Sequence, residues 1–103
     1  MTMLKEILNG HPAVMLYFQS DDCGVCQALR PKVANLLQDR FPKVKLVTLR
    51  ATENVSLAAQ LRMLSLPGIL FYMDGQEVFR SNGLVSIPTL EEWIGRPYAV
   101  YFE

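Results

Sequence analysis

Met3, Leu4, Ile7 and Leu8 recur at helical spacing ahead of Gly10, which predicts a short opening helix closed by a glycine cap. His11-Pro12 breaks it, and His11 reads as a loop residue. Ala13 to Phe18 is an unbroken apolar run of strand length, the pattern of a strand buried on both faces. Val25, Leu29, Val33, Leu36 and Leu37 then form one helical stripe running to about Arg40. Pro31 interrupts it and is predicted to kink the helix, since it offers no N–H to the carbonyl of Gln27. Val44 to Leu49 alternates in the manner of a strand, and Asn54 to Leu64 returns to the helical period. Pro67 and Gly68 open the run Ile69 to Met73, which Asp74-Gly75 joins to Glu77 to Arg80 as a hairpin. Ser86 caps a last helix through Ile94, with Pro88 in its first turn and Gly95 and Pro97 ending it. Beyond it Tyr98, Val100 and Phe102 alternate, as an added edge strand or a dimer contact would.

The order αβαβαββα predicts one mixed α/β sheet covered by helices on both faces. At 103 residues, half of them apolar, the chain has the size of one domain over residues 1–103 and can bury a core without metal or disulfide staples. Met15, Met63 and Met73, with Met3, read as core filler. Trp93 is placed with Ile94 against the sheet. Ten basic and ten acidic side chains cancel, which argues against nucleic acid and anionic membrane surfaces as partners. The first ten residues lack the pattern of a secretory signal and no apolar run is long enough to span a bilayer, so the chain is read as cytoplasmic.

The chain has two cysteines, and they stand as Cys23-Gly24-Val25-Cys26 where a strand's carboxyl end meets a helix start. Two cysteines placed at random over about a hundred positions fall three apart roughly one time in fifty. In a reducing compartment such a pair points to redox catalysis or metal binding. A zinc site needs about four ligands. Two cysteines and one histidine do not supply them, and neither metal nor organic cofactor is expected. Residues three apart on a helix share a face at a separation that suits a disulfide. Cys23, at the helix start, faces unpaired N–H groups and the positive end of the dipole, which favour its thiolate and make it the nucleophile. Cys26 lies deeper and suits the resolving role, attacking the mixed disulfide that Cys23 has formed. Lowering a thiol pKa from about 8.5 to about 7 gains thiolate roughly fifteenfold but loses nucleophilicity about fivefold, so net attack rises only about threefold. Spacing and proximity outweigh acidity.

With these residues in place the chain resembles the thioredoxin family over nearly its whole length. CGVC matches the family's CGPC, Pro31 its kinking proline, Leu66-Pro67 its cis proline, and Gly75 and Gly83 its glycines in and after the hairpin. The resemblance implies a thioredoxin-like fold with a central four-stranded mixed sheet flanked by helices, lacking the family's first strand. It also implies a cis Pro67, with the backbone of Leu66 beside Cys23 and bonding an extended substrate. Disulfide-containing proteins are the implied substrates, and a thioredoxin reductase or small thiol the implied source of electrons.

Four residues depart from the family, and Tyr17, Asp22, Gly24 and Val25 are read as modulating the chemistry. Asp22 replaces the tryptophan before the first cysteine, and Val25, after Gly24, replaces the proline of CGPC. Asp21 and Asp22 oppose the helix terminus at Cys23 and disfavour acidic substrates; Asp22 alternatively helps cap the helix. Tyr17 replaces the buried aspartate and Thr48 its lysine partner, which leaves no carboxylate to take the Cys26 proton. The leading expectation is a thiol-disulfide oxidoreductase that reduces protein disulfides, with slow resolution. The alternative is an interaction or redox-sensing module of the same fold with weak or no reductase activity. An oxidase or isomerase would declare itself by a higher reduction potential.

Overall fold

The computed structural model describes residues 2–103. Its elements are α1 (Thr2–Gly10), β1 (Ala13–Gln19), α2 (Gly24–Arg40), β2 (Lys45–Arg50), a 3-10 turn (Ala51–Glu53), α3 (Val55–Gln60), β3 (Gly68–Met73), β4 (Gln76–Asn82) and α4 (Ile87–Phe102). The four strands form one sheet in the order β2-β1-β3-β4. β1 and β2 run parallel, while β1–β3 and β3–β4 are antiparallel. This is the mixed, helix-flanked sheet of the thioredoxin-like fold that the resemblance implied.

Side chains of β1 alternate between two cores because successive residues of a strand point to opposite faces. Ala13, Met15 and Tyr17 pack with α2 and α4, through Leu29, Val33, Leu90 and Ile94. Val14, Leu16 and Phe18 pack with α1 and α3, through Leu4, Leu57 and Leu61. Met15, Met63 and Met73 are core residues as expected. Met3 is 42% exposed, on the solvent side of α1, and is not core filler.

Helix α3 is shorter than its hydrophobic period. Arg62 takes a left-handed conformation (φ 60°), and the chain folds back so that Arg62 N–H donates to Ala59 O (3.1 Å) and Met63 N–H to Ala58 O (2.9 Å). That pair of bonds is a Schellman closure built without glycine. Met63 is thereby turned into the core instead of continuing a helix to Leu64.

Helix α4 departs the other way. It runs through Gly95 and Pro97 to Phe102, so the tail is neither a strand nor an edge. The two breakers cost the helix about 4 kcal/mol relative to alanine. Continuing it buries Tyr98 edge-on to Phe41 (5.1 Å between centroids) and sets Phe102 beside Tyr98 (4.7 Å). Each large ring contributes on the order of 2–3 kcal/mol when buried. The Tyr98 hydroxyl also accepts from the N–H of Lys43 (3.2 Å). Packing therefore overrides local propensity. Trp93 meets the sheet only at its margin, edge-on to Phe79 of β4 (5.3 Å) and 42% exposed. Among the described residues no helix is long and apolar enough to cross a membrane.

Asp74-Gly75 turns β3 into β4 with both residues at positive φ, 52° and 80°. Those are the signs of a type I′ turn, whose twist matches the flanking strands. Gly75→Ala places a Cβ in a conformation that L side chains avoid. It is expected to lower stability by about 1–2 kcal/mol in urea melts, with the disulfide chemistry of Cys23 and Cys26 unchanged.

Candidate active site: the Cys23–Cys26 turn

Strand register brings the separate pieces of the site to one end of the sheet. Phe18 pairs with Gly68 and Gly68 with Asn82, so the carboxyl end of β1, the start of β3 and the end of β4 lie side by side. β1 leads through Ser20–Asp22 into α2. The Ser20 carbonyl fastens this turn by accepting from Cys23 N–H (3.2 Å) and from Gln27 Nε2 (3.0 Å). Asp22 is not the cap: its Oδ1 accepts from the Ser20 hydroxyl at 2.7 Å. Cys23 is the N-cap, in extended conformation, and its Sγ accepts from Cys26 N–H at 3.2 Å. A hydrogen bond to sulfur from a helix-terminal N–H favours the thiolate form when the bond between the cysteines is open.

Cys23 and Cys26 are joined as a disulfide with their Cα atoms 5.2 Å apart. The two sulfurs belong to differently placed residues, for Cys23 is half-buried and Cys26 wholly buried. Gly24 and Val25 between them are exposed. Val25 is 48% exposed and does not join the apolar stripe of α2, whose buried positions are Cys26, Leu29, Val33, Leu36 and Leu37.

Beneath the pair, the fully buried Tyr17 donates its hydroxyl to the carbonyl of Cys26 at 2.8 Å. Burial pushes the Tyr17 phenol above its ordinary value of 10.0, and the positive charge of Arg30 opposes this in part. The phenol is neutral and serves as a strut under the first turn of α2. Thr48 stands across from Tyr17 in the β1–β2 register, and neither residue is a carboxylate. Gln19, two residues beyond Tyr17 on the same face of β1, buries an Oε1 that has no hydrogen-bond partner among the described residues. Asp21 is paired with Arg50 (3.3 Å), which also meets Glu53 (3.2 Å), in an exposed network.

The Leu66-Pro67 peptide bond is cis. Pro67 precedes Gly68 and therefore lies at the same sheet end as the cysteine turn. Its carbonyl accepts from the N–H of Gly83 (2.8 Å), a residue at φ 109°. Leu84, next in the chain, is 74% exposed. The fastening roles of Gln27 and Gly83 escape the sequence reading. Gln27 lies one helical turn beyond Cys23, and Gly83 stands out in the sequence only as a family glycine.

Residues 2–96 match the Thioredoxin family profile. The chain belongs to the thioredoxin family. It is 33% identical over 89 residues to Thioredoxin 1 of Synechococcus elongatus, covering 86% of this chain and 83% of that one. It is 28% identical over 98 residues to the thioredoxin-like protein YdfQ of Bacillus subtilis, covering 95% and 87%. The X-ray structure of Fasciola hepatica thioredoxin superposes with a TM-score of 0.82 at 28% identity, covering 92% and 91% of the two chains. A thioredoxin-family chain with a closed CxxC pair is a thiol-disulfide oxidoreductase.

The Tyr17 strut has a measurable signature. Tyr17→Phe removes one buried hydrogen bond and is expected to cost about 1 kcal/mol at pH 7. The unfolded phenol titrates near 10 and the folded one higher, so Tyr17's stabilisation is complete below pH 10 and is lost as pH rises through the folded value. In urea melts from pH 9 to pH 11 the stability difference between wild type and Tyr17→Phe should therefore narrow. A constant difference would show that the phenol does not ionise with unfolding.

Proposed function

We propose that this protein is a protein-disulfide reductase in which Cys23 attacks the substrate and Cys26 resolves. The asymmetry of the two cysteines carries the reading: one is half-open and caps the helix, the other is sealed beneath it. A Cys23 thiolate attacks one sulfur of the substrate disulfide, forming a mixed disulfide and releasing the other substrate sulfur as a thiolate. The Cys26 thiolate, formed by loss of its proton to solvent, then attacks Cys23 Sγ. The substrate's second sulfur leaves, and the Cys23–Cys26 disulfide carries the two electrons' worth of oxidation. A thioredoxin reductase or a small thiol returns the pair to dithiol, and no organic cofactor takes part. The cytoplasm is the compartment in which such a cycle runs in the reducing direction.

Leu66 and Pro67 form the docking edge in this reading, with the Leu66 backbone offered to an extended substrate segment. Val25 and Leu84, both exposed, supply an apolar rim. Gly24 leaves the approach to Cys23 open. Asp22 adds negative charge that disfavours acidic substrates, since charges at a rim tune encounter more than chemistry. Tyr17 cannot act as the base for Cys26 near neutral pH, because its phenol holds its proton there. Resolution is therefore slower than in a thioredoxin with a buried carboxylate at that position.

Cys26→Ser is expected to accumulate substrate on Cys23 as a reducible adduct, and Cys23→Ser to accumulate none. With a thiol reductant present, the wild type should accelerate insulin disulfide reduction beyond the reductant alone. No acceleration, with intact folding, would favour an interaction or redox-sensing module instead. Stopped-flow mixing of the dithiol form with a model protein disulfide should show the mixed disulfide building up before it decays. If none builds up, Cys26 resolves as fast as it would beside a buried carboxylate, and the slow-resolution reading falls.

A further inference from the structure

The turn that carries Leu66-Pro67 is held at both ends. At its far end the Pro67 carbonyl is fastened to Gly83, and Gly68 is already in the sheet. A Cβ on Gly68 would lie 2.7 Å from Met63 Sδ and 3.3 Å from the Ser65 carbonyl, so the chain is folded tightly over that glycine. At its near end the turn emerges from the Schellman closure of α3, whose cap is Leu61. The Leu61 carbonyl accepts from Arg80 Nη1 at 2.8 Å. Arg80 projects from β4, and its Nε and Nη2 donate to the two carboxylate oxygens of Glu77, each at 2.8 Å. Among the described residues this is the one side-chain hydrogen bond that reaches the segment from Val55 to Pro67.

We propose that Arg80, oriented by Glu77, is a positioning residue for substrate docking: it fixes the Leu61 carbonyl and so sets where the Leu66-Pro67 turn presents its backbone. The inference rests on the reading of that turn as the docking edge. A guanidinium suits the task because its N–H donors are fixed in one planar fork. Two of them hold the carboxylate while a third holds the carbonyl. A lysine ammonium is a point charge without that fork and cannot fix both partners in one geometry. Glu77 and Arg80 lie three apart and share the face of β4 that pairs with Tyr72 and Leu70, the α3 side of the sheet. The register shift beside Phe71 and Tyr72 is what brings them to one face, since residues three apart on a regular strand point to opposite faces.

The test compares Arg80→Met, Arg80→Lys and Pro67→Ala with wild type in steady-state reduction of insulin and of a small aromatic disulfide that needs no extended docking. Arg80→Met is expected to raise KM for insulin about five- to tenfold, the equivalent of one hydrogen bond of ordinary net strength. Arg80→Lys should fall between it and wild type. The insulin kcat and the small-disulfide rate should stay within about twofold of wild type. Pro67→Ala reports on the docking edge itself and should also raise the insulin KM. If it does and both Arg80 variants keep the wild-type KM, the positioning role of Arg80 alone is overturned. Equal loss on both substrates in Arg80→Lys would likewise overturn it, because Arg80 would then support the fold and not the turn. If Pro67→Ala leaves the insulin KM unaltered, the docking reading falls and takes the proposal with it.

Discussion

Strand β1 is covered on both faces and paired along both edges, and the remaining elements are arranged around that constraint. A strand with solvent on neither side cannot contribute polar side chains cheaply, so Ala13 to Phe18 is apolar throughout apart from the Tyr17 hydroxyl. That hydroxyl is satisfied by the Cys26 carbonyl, which ties the central strand to the first turn of α2. The pairing of β1 with β3 in turn carries Pro67 to the strand end from which the cysteine turn departs. One buried strand thus fixes three things at once: the division of the core, the origin of α2 and the position of the cis proline.

Most of this was legible in the chain because the signals were strong and local. An unbroken apolar run, a CxxC at a helix start and an Asp-Gly between two strands each have a direct physical meaning, and each appears where it was read. The losses have equally direct causes. Gly95 and Pro97 are breakers by propensity, yet the burial of Tyr98, on which Phe102 then packs, involves Phe41, more than fifty residues away, which no local pattern contains. Leu61 to Leu64 keeps a helical period although Arg62 ends the helix in a conformation usually left to glycine. Val25 fits the period of α2 but not its buried stripe, because the neighbouring Cys26 takes the buried place in the first turn. Asp22 looks like a cap by residue type, and the sulfur of Cys23 takes that place.

The departures around the cysteines act at different levels. Val25 and Asp22 alter the surface an incoming protein meets. Tyr17 and Thr48 alter what lies beneath, where a neutral strut replaces an ionisable pair. In the proposed cycle the first change bears on which partner approaches, and the second on how quickly a proton leaves Cys26. The fold tolerates both because neither set of residues supplies much of the packing between sheet and helices, apart from the Tyr17 ring itself.

In the proposed cycle Cys23 Sγ is at once the attacking atom and the acceptor that caps α2. Helix formation and bond exchange therefore draw on the same lone pairs. When Cys23 is a thiolate, the cap is charge-assisted and strong; when the sulfur is shared with Cys26 or a substrate, the cap is neutral and weaker. Each turnover of that cycle thus changes how firmly the first turn of α2 is held, and only the mixed disulfide combines the weaker cap with an open Cys23–Cys26 bond. At that moment Cys26 must reach its target, so the helix end is freest in the state that requires it to move.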